Sequence, residues 1–301
     1  MDISKRALGN TGLMVSPLGF GGAELGFQDH AGAAAIARLL NQALDAGLNV
    51  IDTASAYKES EALIGQAVSH RRSDFYLFTK CGATDGFTRA DWSKTGIQAQ
   101  LESSLRLMQT DYVDLLQLHS CDIETLRRGE AIEALQDARR AGKVRFVGYS
   151  GDGESAHTAL SLDVFDTLQT SISVADQQPL SLTLPVAASK GVGVIAKRPV
   201  ANAAWRTGQL PTDSYHHAYF ERLQALRYPF LSLPLEHAVI EALAFTLSQP
   251  AVAVAIVGTV KPGRFEQNLR DLAAFSFPPN ELEAIRARWL EVADSTWVGQ
   301  V

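Results

Sequence analysis

Apolar residues in this chain fall into short unbroken runs separated by longer stretches of helical periodicity. Asn49-Val-Ile-Asp52, Phe75-Tyr-Leu-Phe-Thr-Lys80 and Val113-Asp-Leu-Leu-Gln-Leu-His119 are runs of the first kind, the pattern of parallel strands buried on both faces. Ile36, Leu39, Leu40 and Ala43 recur at i, i+3, i+4 and i+7, which predicts an amphipathic helix from about 31 to 46. Ile97, Leu101, Leu105 and Met108 mark a second helix, and a last one near 280 to 292 carries Leu282, Ile285, Trp289 and Leu290 on one face. Gly47, Gly142 and Gly191 each stand between a helix end and the next apolar run, where the left-handed position past a helix C-terminus favours glycine. A helix-glycine-strand junction that recurs along one chain indicates βα repeats.

On this basis strands are expected near 17 to 21, 48 to 52, 75 to 80, 113 to 119, 144 to 149, 165 to 170, 192 to 197 and 252 to 257. Eight βα units with no dividing linker predict an α/β fold, a (β/α)8 TIM barrel spanning 1–301 as a single domain. Before the barrel, apolar residues flank Asn10-Thr11-Gly12, a β-hairpin signature with Gly12 able to take positive φ. Leu18-Gly-Phe-Gly-Gly22 reads as a strand whose glycines permit close backbone approach. An extra C-terminal helix follows the eighth unit. Residues 200–229 exceed the ~2 to 6 residues of an ordinary βα connection, and read either as a lid over a rim ligand or as a mobile surface insertion.

Composition changes this picture little. Hydrophobic residues at 46% and charged residues at 20% are ordinary for a globular protein. A net charge of -6 argues against a nucleic-acid partner. No stretch approaches the ~20 apolar residues of a membrane span, and the N-terminal Met-Asp-Ile-Ser-Lys-Arg has no apolar targeting core, so a cytoplasmic location is expected. Cys81 and Cys121 each lie just past an expected strand and read as free thiols near the rim.

The candidate chemistry lies at the strand ends. Asp52, Lys80 and His119 close three successive strands, and in such a barrel those ends open on one rim. Tyr57 follows five residues after Asp52. A nearby ammonium would lower the phenol pKa below its usual ~10, and a lysine at a dry strand end needs a counter-charge, which Asp52 can supply. Taken singly, each residue also has a plain structural reading: a helix cap, a solvated lysine, a hydrogen-bonded histidine. No metal site is indicated.

Asp52-Thr-Ala-x-x-Tyr57-x-x-Ser60-Glu61-x-x-x-Gly65 resembles the signature of the aldo-keto reductase superfamily. The resemblance extends to the Leu8-Gly-x-Thr-Gly-Leu-x-Val-Ser hairpin, Thr79-Lys80, Asp111 to His119, Gly142-Lys-Val-Arg-Phe-Val-Gly-x-Ser150 and the segment from Pro262 to Asn268. It implies a catalytic tetrad of Asp52, Tyr57, Lys80 and His119, and NAD(P)H-dependent reduction of a small-molecule carbonyl substrate. It further implies that Ser150 and Gln169 hold the nicotinamide carboxamide, and that Gly258, Thr259, Arg264 and Asn268 form the adenosine-phosphate segment. A guanidinium there can fork onto a 2′-phosphate, so NADPH is expected over NADH. Against the family pattern, Gly151 replaces an asparagine, Lys197 replaces a stacking aromatic, and Gly258 replaces a lysine. The basic pair Lys197-Arg198 is expected either to reach the cofactor's pyrophosphate or to face solvent. Ser120-Cys121, where some relatives carry a bulky aromatic, suggests an open pocket, with Trp92, Trp205 and Trp297 as candidate walls. Two other functions fit the scaffold: a cofactor-binding regulatory subunit with little turnover, and a Schiff-base lyase using Lys80.

Overall fold

A computed structural model describes residues 4–28 and 32–300. Eight strands, Leu18–Gly21 (β1), Val50–Asp52 (β2), Tyr76–Cys81 (β3), Val113–His119 (β4), Val144–Ser150 (β5), Thr167–Ser171 (β6), Gly193–Lys197 (β7) and Val252–Gly258 (β8), close into a barrel in chain order. Each is parallel to its neighbours. The expected (β/α)8 architecture is therefore the observed one, and the strands lie within two residues of their predicted bounds. Gly47, Gly142 and Gly191 have φ of 97°, 75° and 67°, the left-handed backbone their place after a helix requires.

The N-terminal hairpin pairs Arg6 with Val15 and Ala7 with Met14. Its turn passes through Gly12 at φ 75°. Leu8, Leu13 and Val15 pack with Val50, Phe78, Leu115, Ile195 and Val254, so the hairpin plugs one end of the barrel and that set of strand residues points inward. Side chains alternate along a strand with period two. Two positions further along, Asp52, Lys80, Gln117 and Lys197 therefore also point inward, and His119 follows Gln117 by the same step. The apolar bottom of the barrel thus places charged groups at its other end.

The helix expected from about 31 spans Ala33–Asp45 and buries Ile36, Leu39, Leu40 and Ala43; residue 31 lies outside the described residues, as do Met1, Asp2 and Ile3 of the N-terminal stretch. Ile97, Leu101, Leu105 and Met108 are buried on the helix Lys94–Met108. The C-terminal helix spans Glu281–Val292 and buries Ile285 and Trp289, with Leu282 half-buried. Leu290 departs from the expected face, being 60% exposed. It lies one position, about 100° of helical turn, from Trp289.

Residues 200–229 are not a loose insertion. They carry the helix His217–Leu226, and Trp205, Tyr219, Leu223, Leu226 and Tyr228 pack with Ile285 and Trp289 into a second apolar cluster. No helix among the described residues is long and apolar enough to cross a membrane.

Candidate active site

Lys80 is buried, and its Nζ donates to Asp52 Oδ2 at 2.5 Å and to the Thr53 carbonyl at 2.9 Å. Gln117 Nε2 reaches the other Asp52 oxygen at 3.4 Å. The ammonium lies 5.1 Å from the centre of the Tyr57 ring, whose edge meets the His119 ring at 5.6 Å between centres. The four expected residues are thus brought together. Burial alone would lower the Lys80 pKa, but Asp52 and Tyr57 outweigh it and hold the ammonium above the ordinary lysine range. A lysine held protonated is a poor Schiff-base nucleophile, which argues against the lyase reading.

Tyr57 corrects an expectation. Burial raises the phenol above its ordinary value, and the opposing pull of Lys80 only reduces the rise. The expected net depression is absent because removing a phenolate from water outweighs one ammonium already shared with Asp52. The hydroxyl accordingly stays protonated at neutral pH. His119 moves the other way: burial, with Lys80, Lys197 and Arg198, holds its imidazole well below the usual histidine range. Its Nδ1 is buried without a partner among the described residues.

Other parts of the signature are structural. Ser60 Oγ donates to the Gly22 carbonyl at 2.8 Å, tying the helix Ser60–Val68 to β1. Glu61 accepts from Thr79 Oγ1 at 2.6 Å. A β-carbon at Gly65 would strike the Leu107 carbonyl, so glycine permits two helices to touch.

Ser150 and Gln169 are opposite one another on β5 and β6, with Ser150 Oγ donating to Gln169 Oε1 at 3.0 Å. Gln169 Nε2 is buried with no partner among the described residues. A buried amide donor without a partner fits the carbonyl oxygen of a nicotinamide carboxamide, since buried donors are normally satisfied. Asn268 is buried and Arg264 half-buried on the helix Arg264–Ala274 that follows β8, and Arg264 forms no ion pair among the described residues. An unpaired guanidinium at a helix N-terminus suits a phosphate. The residues present therefore fit a nicotinamide dinucleotide.

Three departures from the family pattern acquire causes. A side chain at Gly151 would begin 2.6 Å from the Tyr149 ring, which is fixed by its hydroxyl donating to the Cys121 carbonyl at 2.7 Å. Lys197 and Arg198 do not face solvent. Lys197 Nζ lies 2.9 Å from Asp152 Oδ2, and Arg198 donates to Ser171 Oγ and Tyr215 Oη at 2.6 Å each. Burial lowers the Lys197 pKa to about 8 despite Asp152. At Gly258, an added β-carbon would fall within the Glu24 carboxylate.

The pocket wall also differs from expectation. Phe87 lies 5.0 Å from His119 and 6.0 Å from Tyr57 between ring centres, and Phe27 lies 6.0 Å from Tyr57. These two exposed rings, 53% and 45% accessible, provide beside His119 the aromatic surface that Ser120 and Cys121 do not. Each follows a glycine, Phe27 at the end of the short helix after β1 and Phe87 in the loop after β3, though Gly-Phe also occurs within β1, so the sequence signal is weak. Trp205 is buried in the second cluster, Trp297 stacks on Arg222, and Trp92 covers Gly82. All three are packing residues. Cys81 and Cys121 are free and buried, and burial pushes the Cys121 thiol up to about 12.

Residues 17–289 match the aldo/keto reductase family model, and the chain belongs to that family. It is 32% identical to L-galactose dehydrogenase of Arabidopsis thaliana over 98% of this chain and 97% of that one. It is 27% identical to 6-dehydroglucose reductase of Novosphingobium aromaticivorans over 94% and 91%. Among solved structures it resembles the holo form of an aldo-keto reductase from Bacillus halodurans, at 30% identity, TM-score 0.81, and coverage of 95% of this chain and 96% of that chain. The relatives are oxidoreductases, and so is this protein.

Proposed function

We propose that the protein reduces an aldehyde or ketone to an alcohol with NADPH, with Tyr57 as the proton donor, and the reverse reaction open to it. The observation that carries this reading is the buried Asp52–Lys80 pair beside Tyr57, with His119 against the same ring. A bound nicotinamide would supply hydride to the carbonyl carbon. Negative charge then grows on the carbonyl oxygen, and a water-poor site must meet it with a proton and fixed donors. Tyr57, kept protonated by burial, provides the proton. Lys80 stabilises the phenolate left behind, and Asp52 holds Lys80 in place. His119, kept neutral, can donate one ring N–H to the oxygen and orient it. Gln169 and Ser150 hold the carboxamide, while Thr259, Arg264 and Asn268 hold the adenosine phosphate and favour NADPH over NADH. The names of the sugar-oxidoreductase relatives make hydroxylated carbonyl compounds the first substrates to screen.

The test is Tyr57→Phe. General acid catalysis contributes ~10²- to 10⁴-fold, so kcat should fall by at least about a hundredfold with NADPH affinity nearly unchanged. Carbonyl reduction above about a tenth of wild type, well outside that range, would remove Tyr57 from this role.

A further inference from the structure

Glu24 belongs to the helix Ala23–Phe27, which leaves β1 directly. Its carboxylate occupies the space over Gly258, the last residue of β8, and Gly258 is paired in register with Gly21 at the end of β1. A side chain at position 258 would have to displace the Glu24 carboxylate, and an acid fills the place. Thr259 follows at once, and Arg264 and Asn268 lie on the next helix, so the acid stands in the segment assigned above to the adenosine phosphate. Among the described residues Glu24 has no ion-pair partner. Burial raises its carboxyl above the ordinary range, and only the residue's own backbone N–H opposes the rise.

A half-buried carboxylate without a cation is an acceptor awaiting donors. In the Rossmann dinucleotide sites, a different fold with the same ligand chemistry, a carboxylate accepts from the ribose 2′-hydroxyl while an arginine accommodates a 2′-phosphate. Here both kinds of group stand near one segment. We propose that Glu24 is a cofactor-selectivity residue that works against Arg264, opposing the extra phosphate of NADPH and accepting from the ribose of NADH, so that the protein uses both nucleotides. The inference rests on the cofactor reading above and goes beyond it by naming the group that limits NADPH preference.

The experiment compares dissociation constants of 5′-AMP and adenosine 2′,5′-bisphosphate, by titration calorimetry, for wild type, Glu24→Gln and Glu24→Ala. A 2′-phosphate carries close to two negative charges at neutral pH, and one unit charge removed nearby at an intermediate dielectric is worth about tenfold in affinity. Glu24→Gln should tighten the bisphosphate about tenfold relative to 5′-AMP, with Glu24→Ala shifting the ratio the same way. A ratio unchanged in both variants overturns the role of Glu24 and leaves the cofactor reading standing. A wild type that binds neither probe nor NADPH overturns that reading and this inference with it.

Discussion

Asp52→Asn isolates the charge beneath Tyr57 without changing side-chain volume. In the wild type the Lys80 ammonium is buried, and Asp52 is its one carboxylate partner among the described residues, at 2.5 Å. The asparagine leaves an oxygen for one hydrogen bond but no counter-charge, and Lys197 and Arg198 act on the same His119 as Lys80 does. Removing one partner of a buried ion pair costs ~3 to 5 kcal/mol. At roughly 2 °C per kcal/mol for a chain of this size, Tm should fall by ~6 to 10 °C at pH 7. The pH dependence follows from the raised Lys80 value. A group whose folded pKa lies above the unfolded one contributes stability that is full below the ordinary lysine value of 10.5 and is lost as pH rises through the folded value. The gap in Tm between wild type and variant should therefore be widest at neutral pH and narrow as pH approaches and passes that value. Differential scanning calorimetry from neutral to alkaline pH measures it. A Tm within about 2 °C of wild type at pH 7, under one kcal/mol, would mean that Lys80 is not desolvated, and the account of how Tyr57 is supported would fail.

Two further outcomes are expected. Arg264→Ala should weaken NADPH about tenfold or more, since a charged hydrogen bond contributes ~1.5 to 3 kcal/mol, and barely alter NADH; fluorescence titration decides it, and equal losses for both nucleotides would sink the assignment. Because the folded His119 value lies below 6.5, its share of stability is full above that pH and lost as pH falls below it. His119→Gln should flatten the acid-side decline of Tm, and an unaltered slope would show that the imidazole is solvated.

Much of this protein was legible before any coordinates, because its barrel strands write burial on both faces into unbroken apolar runs. Val113–His119 was predicted with its observed bounds, and Asp52, Lys80 and His119 were placed at strand ends by the same runs. The glycines at 47, 142 and 191 marked junctions that only a left-handed backbone can make. Local pattern also set one error, since Leu290 completes a helical stripe on paper but faces away from the helices that bury Ile285 and Trp289.

What closure of the barrel decided could not be read from any single stretch. Phe27, at the end of the short helix after β1, and Phe87, in the loop after β3, meet beside Tyr57 and His119 only because β2 alone separates their strands in the ring. The sequence leaves Lys197 open between the cofactor's pyrophosphate and solvent, and the fold sets it 2.9 Å from Asp152, after β5. The net rise of the Tyr57 pKa depends on how much water the whole mouth excludes, which is a property of the assembled rim. Glu24 and Gly258 are 234 positions apart in the sequence and share one space because β8 closes on β1. Periodicity reports which face of an element is buried, but a contact between loops of different strands is fixed by barrel geometry, and that is where the charges and rings of this site acquire their partners.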